Sequence, residues 1–224
     1  MPGFVDAIVV VDDGSGDRTG AVALEVGDTR VHLEQHGLRR GVGAALTTGY
    51  LTALGLSRSA TDALCVMAGD GQMDPRDLER VARPVVLGEA DYVKGDRFGD
   101  PAVRRSMGLP RWIGGQVFTR LTSAAIGQRI SDSQCGYTAL ARAAAVRLDL
   151  EGLWPGFGYP NDLLGQLKAR HLRVSEVPVR PVYGDESSKL RLRHLPPIFY
   201  LIGRAAVRRR VGVSPLRMTR TNGN

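Results

Sequence analysis

Cysteine is scarce in this chain: two among 224 residues, Cys65 and Cys135. They cannot build a disulfide framework and have no metal-ligand spacing, so a reduced, cytoplasmic protein is the expectation. Long apolar runs are missing too. The longest near the end, Leu195 to Gly203, falls well short of the ~20 residues that span a bilayer. The first residues, Met1-Pro2-Gly3-Phe4-Val5-Asp6, have neither a basic n-region nor an apolar core, and do not read as a signal peptide. Internal repeats and low-complexity blocks are absent, and a hydrophobic fraction of 43% excludes disorder throughout. Basic stripes interleaved with aromatics do not occur in the core motifs, so nucleic acid is not an expected partner.

What is present is glycine, 28 residues placed mostly at element ends and in loops, and a formal charge of +7. A basic balance favours anionic partners such as nucleotides or lipid head groups. Part of that charge lies late in the chain, at Lys189 to Arg193 and Arg204 to Arg210. The length suits one large domain or at most two.

The stretch Val66 to Pro75 organises the reading. An apolar run, Leu64 to Met67, reads as a strand. It breaks into Ala68-Gly69-Asp70-Gly71-Gln72-Met73. Asp74-Pro75 then opens a helix, with Asp as N-cap and Pro at the first helical position. In open α/β sheets, the carboxyl ends of the strands are where ligands bind. Asp70 and Gln72 there offer hard oxygen ligands for a divalent cation. The competing reading is an acidic turn with a helix cap.

Val5 to Val11 is a β-branched run, expected to be a strand buried on both faces. It ends in Asp12-Asp13-Gly14-Ser15, either part of a nucleotide pocket or an Asx-rich turn capping the next helix. Val31 to Gln35 reads as a second strand and Gly37 to Ser57 as a helix with three-to-four apolar spacing. The Arg39-Arg40-Gly41 start of that helix suits a diphosphate, or its glycines serve close packing. Strand Asp91 to Lys94 leads to Gly95-Asp96-Arg97. A helix ending near Ile126, the polar loop Ile130 to Tyr137, a strand from Thr138, a helix opened by Asn161-Asp162 and a strand from Leu172 to Val179 follow. Alternating strands and helices indicate an α/β sandwich with a mainly parallel sheet.

Taken together, Val9-Val10-Val11-Asp12-Asp13-Gly14-Ser15, Gly41 to Gly49, Gly69 to Pro75, Gly95-Asp96-Arg97, Asp132 to Tyr137 and Ser188-Lys189 resemble the family 2 glycosyltransferases of GT-A fold. The closest subgroup is the dolichol-phosphate mannose synthase and polyprenyl-phosphate glycosyltransferase type. The resemblance implies a Rossmann-like, three-layer α/β/α sandwich and inverting transfer of a sugar from a UDP-, GDP- or dTDP-linked donor. The implied acceptor is a polyprenyl phosphate, in cell-envelope glycan or glycolipid synthesis. By the same resemblance, Asp12, Asp13 and Ser15 touch base and ribose. Asp70 and Gln72 hold Mg²⁺ or Mn²⁺ against the diphosphate. Arg97 and Arg105 face the phosphates or the acceptor. Gln134 and Asp132 lie on the acceptor side, Lys189 closes over the diphosphate, and Asp132 and Asp162 are candidates for a general base.

Two departures from the family pattern stand out. Ala68 occupies the place of the first acid of the usual Asp-x-Asp, leaving one carboxylate. The family's first strand, which should precede Val5, is missing, so an N-terminally truncated chain is expected. The expected organisation is a glycosyltransferase domain over 1–190, a basic amphipathic segment over 191–217 that either suits the inner face of a membrane or packs on the domain as a terminal helix with a solvated basic face, and a disordered tail over 218–224. The alternative is a non-catalytic nucleotide-sugar-binding remnant or interaction protein. Nucleotidyl transfer is disfavoured because no glycine-rich, basic signature stands near the start.

Overall fold

The computed structural model describes residues 1–99, 109–180, 182 and 195–211. Arg105 and Lys189 lie outside the described residues, as do the segments 183–194 and 212–224. The elements run β1 (Ile8–Asp12), α1 (Thr19–Glu25), β2 (Val31–Gln35), α2 (Val42–Leu56), β3 (Ala63–Val66), a 3₁₀ turn (Pro75–Asp77), α3 (Leu78–Val86), β4 (Tyr92–Asp96), α4 (Leu109–Ile126), β5 (Thr138–Ala141), α5 (Arg142–Ala145), α6 (Tyr159–Ala169), β6 (Val174–Pro178) and α7 (Leu195–Val211).

Local signals set most boundaries. Asp74 caps as expected, accepting the Arg76 N–H at 2.9 Å, with Pro75 in the first turn. The helix there begins as a 3₁₀ turn and becomes α at Leu78. α2 starts at Val42 rather than Gly37, because the Arg40 and Gly41 N–H groups turn back to the Asp13 carboxylate. α6 starts at Tyr159, before the expected Asn161-Asp162 opening.

The strands fall into two sheets. β1 and β2 pair in parallel, and a four-stranded sheet has the order β3-β5-β4-β6. The β4–β6 pair is parallel, while β5 runs antiparallel to both β3 and β4. The expected mainly parallel sheet is therefore mixed at its centre. No described strand joins β1 to β3, and α2 packs across both. α3 covers β3, β4 and β5, while α4, α6 and α7 pack on one another.

The core centres on Val81, Val93, Ala139, Leu140, Leu163, Leu167 and Ile198. α6 is buried from Pro160 through Leu167 because α7 and α4 cover it. Its polar side chains find partners inside: Asn161 Oδ1 accepts Thr122 Oγ1 at 2.7 Å, and Gln166 bonds both the N–H and the carbonyl of Asp149 at 2.9 Å. Gly165 permits the close approach of α7, since a Cβ there would lie 2.8 Å from Ala205 Cβ.

Candidate functional site

β1 delivers Asp12, Asp13 and Ser15 on one turn. Asp12 is buried and accepts the Ser15 N–H at 3.0 Å and Gln35 Nε2 at 3.4 Å. The Ser15 hydrogen bonds hold its carboxyl below the usual range. Asp13 accepts the N–H groups of Arg40 at 2.9 Å and Gly41 at 2.8 Å, and meets His36 Nδ1 at 2.7 Å. Burial pushes the Asp13 carboxyl up, but these hydrogen bonds more than offset that and keep it low. His36 continues to Thr48 Oγ1 at 2.9 Å. Asp13 thus fastens the loop between β2 and α2 to the end of β1. His36 carries no signal in the sequence, since nothing local pairs it with Asp13.

The glycine-bearing start of α2 is taken by the chain itself. Pro155 carbonyl accepts the Gly43 N–H at 2.7 Å and the Ala44 N–H at 3.3 Å. A Cβ on Gly43 would come within 1.9 Å of the Trp154 carbonyl oxygen. Of the two readings of these glycines, close packing is the one realised, and a diphosphate at this helix start is not.

The turn after β3 carries Asp70 and Gln72, both half-buried. Asp70 Oδ1 accepts the Gln72 N–H at 3.2 Å, and the Gln72 carbonyl accepts the Val182 N–H at 3.0 Å. Tyr137 OH donates to the Asp74 carbonyl at 3.0 Å, tying this turn to the loop before β5. Among the described residues no group of three or more His, Cys, Asp or Glu is gathered to hold a metal. Ala68 adds no oxygen where an acid was expected. One carboxylate and one carboxamide fit Mg²⁺ or Mn²⁺ that takes its remaining ligands from water and a diphosphate, as hard cations bound with phosphates do. They do not fit a cation held by protein alone.

Because β5 runs antiparallel, its start meets the ends of β3 and β4, with Thr138 opposite Val66 and Lys94. The loop 130–137 therefore lies at the same edge as Asp70 and Asp96. Asp132 is fully buried there and binds Arg97 through two bonds, Nε at 2.6 Å and Nη2 at 3.0 Å. It also accepts the N–H groups of Gln134 at 3.2 Å and Cys135 at 3.1 Å. Burial pushes its carboxyl up, and the Arg97 and Lys94 charges pull it below the usual range. Lys94, fully buried, donates to the Cys135 carbonyl, and burial lowers its pKa. Glu176 accepts the Ser131 N–H at 2.8 Å. Gln134 is half-buried, its amide donating to Ser133 Oγ at 3.1 Å. An ionised carboxylate with its oxygens this occupied makes a poor general base. What Asp132 does is orient Arg97.

Asp162 lies elsewhere. Its buried carboxylate pairs with Arg204 and with Arg208 at 2.6 Å, and accepts the Trp154 N–H at 2.9 Å. This geometry joins α6 to α7. Asp162, expected as a candidate base, is a buried carboxylate held by two guanidiniums.

A cavity of about 510 Å³ opens beside the Arg97–Asp132 pair, lined by Asp96, Gln116, Thr119, Arg120, Arg129 and Ser131 among others. Thr119 and Ser123 latch α4 onto the loop below, through Ser133 N–H at 3.1 Å and Ile130 N–H at 3.0 Å. Burial raises the Asp96 carboxyl, the direction a proton acceptor needs. Arg120 and Arg129 were not singled out from the sequence, because arginine spacing says nothing of which ones converge; Asp96 stood there only as part of the Gly95-Asp96-Arg97 motif.

The profile of the family described as "Glycosyl transferase family 2" matches residues 2–148. The chain is 27% identical to the UDP-N-acetylglucosamine–dolichyl-phosphate N-acetylglucosaminyltransferase of Methanococcus voltae, over 81% of this chain and 77% of that one. It is 31% identical to the polyprenol monophosphomannose synthase of Mycolicibacterium smegmatis, over 77% of this chain and 65% of that one. Among solved structures, glucosyl-3-phosphoglycerate synthase from Mycobacterium tuberculosis with Mn²⁺, UDP-glucose and phosphoglyceric acid matches with a TM-score of 0.62 at 18% identity, covering 96% of this chain and 72% of that one. Mannosyl-3-phosphoglycerate synthase from Rubrobacter xylanophilus matches with the same TM-score, 0.62, at 18% identity, covering 98% and 68%. The chain belongs to glycosyl transferase family 2, has the GT-A fold, and is similar to that family's polyprenyl-phosphate glycosyltransferases.

Proposed function

We propose that this protein moves a sugar from a nucleoside-diphosphate sugar to a polyprenyl phosphate, in the building of cell-envelope glycans or glycolipids. The observation that carries the reading is the cavity beside Arg97, where Arg120 and Arg129 meet Thr119 and Ser131. Two guanidiniums with hydroxyls suit a phosphate group. A lipid phosphate is already anionic, so its oxygen attacks the anomeric carbon without a base, and the bond to the nucleoside diphosphate breaks with inversion. That agrees with Asp132 and Asp162 both being occupied by arginine. The names of the Methanococcus and Mycolicibacterium relatives support a lipid-phosphate acceptor.

On the donor side, Asp12 and Ser15 serve the nucleoside and Asp13 holds the loop around it. Asp70 and Gln72 hold Mg²⁺ or Mn²⁺, which neutralises charge on the leaving diphosphate. Arg97, held by Asp132, faces the same phosphates, and Gln134 stands beside it. Lys189 supplies a further cation from outside the described residues. The Mn²⁺ and UDP-glucose of the mycobacterial structure support UDP as the nucleotide to try first.

The test is a thermal-shift panel of UDP, GDP and dTDP, each with and without Mn²⁺, on the chain and on Asp70→Ala. A ligand that binds only the folded state raises the Tm. The expected outcome is a metal-dependent shift from one nucleotide that Asp70→Ala abolishes, and sugar transfer from that donor to a short-chain polyprenyl phosphate. No shift from any nucleotide overturns the donor site. A shift without turnover on any acceptor favours the alternative, a nucleotide-sugar-binding protein without catalysis.

A further inference from the structure

Burial does little to hold the end of β1. Ile8 to Val11 are half-buried, and Gly14 and Ser15 in the turn beyond them are exposed. Segments with little buried surface open readily, so what fixes this turn is polar. Asp12 ties it to itself and to β2, through the Ser15 N–H and the Gln35 amide. Asp13 ties it to the loop 36–41, through His36 and the Arg40 and Gly41 N–H groups.

Turn and loop also touch closely. Gly14 has φ +70°, and a Cβ on it would lie 2.7 Å from the Arg39 nitrogen and 2.8 Å from the Leu38 carbonyl carbon. The turn rests on the loop backbone, so a loop that shifts carries the turn with it. The loop is secured at both ends: the His36 N–H donates to the Asp12 carbonyl at 2.9 Å, and the Gly43 N–H to the Pro155 carbonyl at 2.7 Å.

Between these ends the His36 ring, only 6% exposed, reaches from Asp13 to Thr48 on α2. The Asp13 carboxyl is held low by its hydrogen bonds, and an ionised carboxylate only accepts, so Nδ1 carries the hydrogen that points to it. In a neutral ring Nε2 accepts the Thr48 hydroxyl, and in a charged ring it donates to that oxygen. The line Asp13–His36–Thr48 therefore stands in either state. A side chain that merely filled this space would need no polar atoms, yet both ring nitrogens are used. The helix at the far end of the line packs on β1 and on β3, which makes it the firmest body within reach of the loop.

We infer that His36 is a positioning residue of the donor site: by joining Asp13 to Thr48 it holds the turn of Asp12 and Ser15 in the place that receives the nucleoside, which rests on the role given to those residues above. It acts through the turn rather than on the substrate. Without it, binding must first order the loop and the turn, and that cost weakens the nucleotide's affinity. The chemical step uses other residues, so the loss should appear in the donor KM and leave kcat nearly unchanged.

The test is titration calorimetry of UDP, GDP and dTDP, each with Mn²⁺, on the whole chain and on variants at positions 36 and 48. For the nucleotide that the wild type binds, His36→Ala and His36→Gln should each raise Kd about tenfold. The amide nitrogen of Asn falls where Nδ1 stands, and that of Gln where Nε2 stands. His36→Asn thus keeps the bond to Asp13 and loses Thr48, as Thr48→Val does, and both should raise Kd only about threefold. In sugar transfer the donor KM should follow Kd, with kcat changed less than about twofold. Circular dichroism melts check that each variant is folded at the temperature of titration. Thr48→Val keeps the side-chain shape and carries the test should His36→Ala fail to fold. An unchanged Kd in the folded variants overturns the inference, whatever happens to Tm, and leaves the nucleoside reading standing. So does affinity better kept by Gln than by Asn, because Gln is nearer histidine in size and that order would mean the ring only fills space. No binding of any of these nucleotides by the wild type removes the nucleoside reading, and this inference with it.

Discussion

The two sheets differ in burial. In β4 and β5, Val93, Ala139 and Leu140 are wholly buried. In β1, Ile8, Val9, Val10 and Val11 are only half-buried, although their β-branched run reads as a doubly covered strand. Among the described residues, β5 and β4 each have a hydrogen-bonded neighbour on both sides, whereas β1 pairs with β2 alone. Apolar sequence asks for cover; whether the cover exists depends on what packs beside the strand. The same contrast holds for the carboxylates. Asp132, at the edge of the larger sheet, is enclosed with Arg97 and Lys94, while Asp13 keeps some exposure among backbone donors.

That contrast can be broken by substitution. Asp132→Ala leaves the Arg97 and Lys94 charges facing each other in a buried site, and should cost about 3–5 kcal/mol in urea unfolding. Asp13→Ala, in the thinner half, should cost only about 1–2 kcal/mol, because the N–H groups it releases lie near water. Equal losses would mean that both halves share one dielectric environment. A like-for-like pair sharpens the point: Val93→Ala should cost about 2 kcal/mol and Val10→Ala under about 1 kcal/mol, since the second side chain is already half in solvent.

Acid should act through both halves. Asp12, Asp13 and Asp132 have carboxyls held low in the folded chain, so each binds its proton more weakly folded than unfolded. Their stabilisation is complete above the ordinary carboxylate pKa of about 4 and is lost as pH falls through the lowered folded values. Asp96, raised by burial, has the opposite sign, costing stability when charged and relieved on acidification. The Tm should therefore fall below about pH 4, and fall less steeply in Asp132→Asn. The smallest effect is kinetic: amides of β1 and β2 should exchange with deuterium sooner than those of β4 and β5, because strands with fewer buried contacts open more readily.

Much of the local structure was legible. The Asp74-Pro75 cap, the strand at Val31–Gln35 and the end of α4 at Ile126 stand where the sequence puts them. So does the placing of acidic turns at strand ends. Illegible were the partners. Nothing in the spacing of Asp162 reveals that it meets Arg204 and Arg208 on a later helix, or that Asp132 meets Arg97 across two strands. A resemblance names which residues stand near a site, and says less about which of them are already spent on holding the fold.

The sequence by itself determined the elements, their caps and the supply of carboxylates and arginines at the strand ends, because backbone preference and side-chain period act over a few residues. Only the tertiary structure decided which carboxylates are consumed and which arginines converge. It also decided that the α2 start is closed by Pro155, and that α7 turns Arg204 and Arg208 onto the buried Asp162. Those outcomes depend on contacts between segments far apart in the chain, whose geometry is fixed only once the helices and sheets have packed.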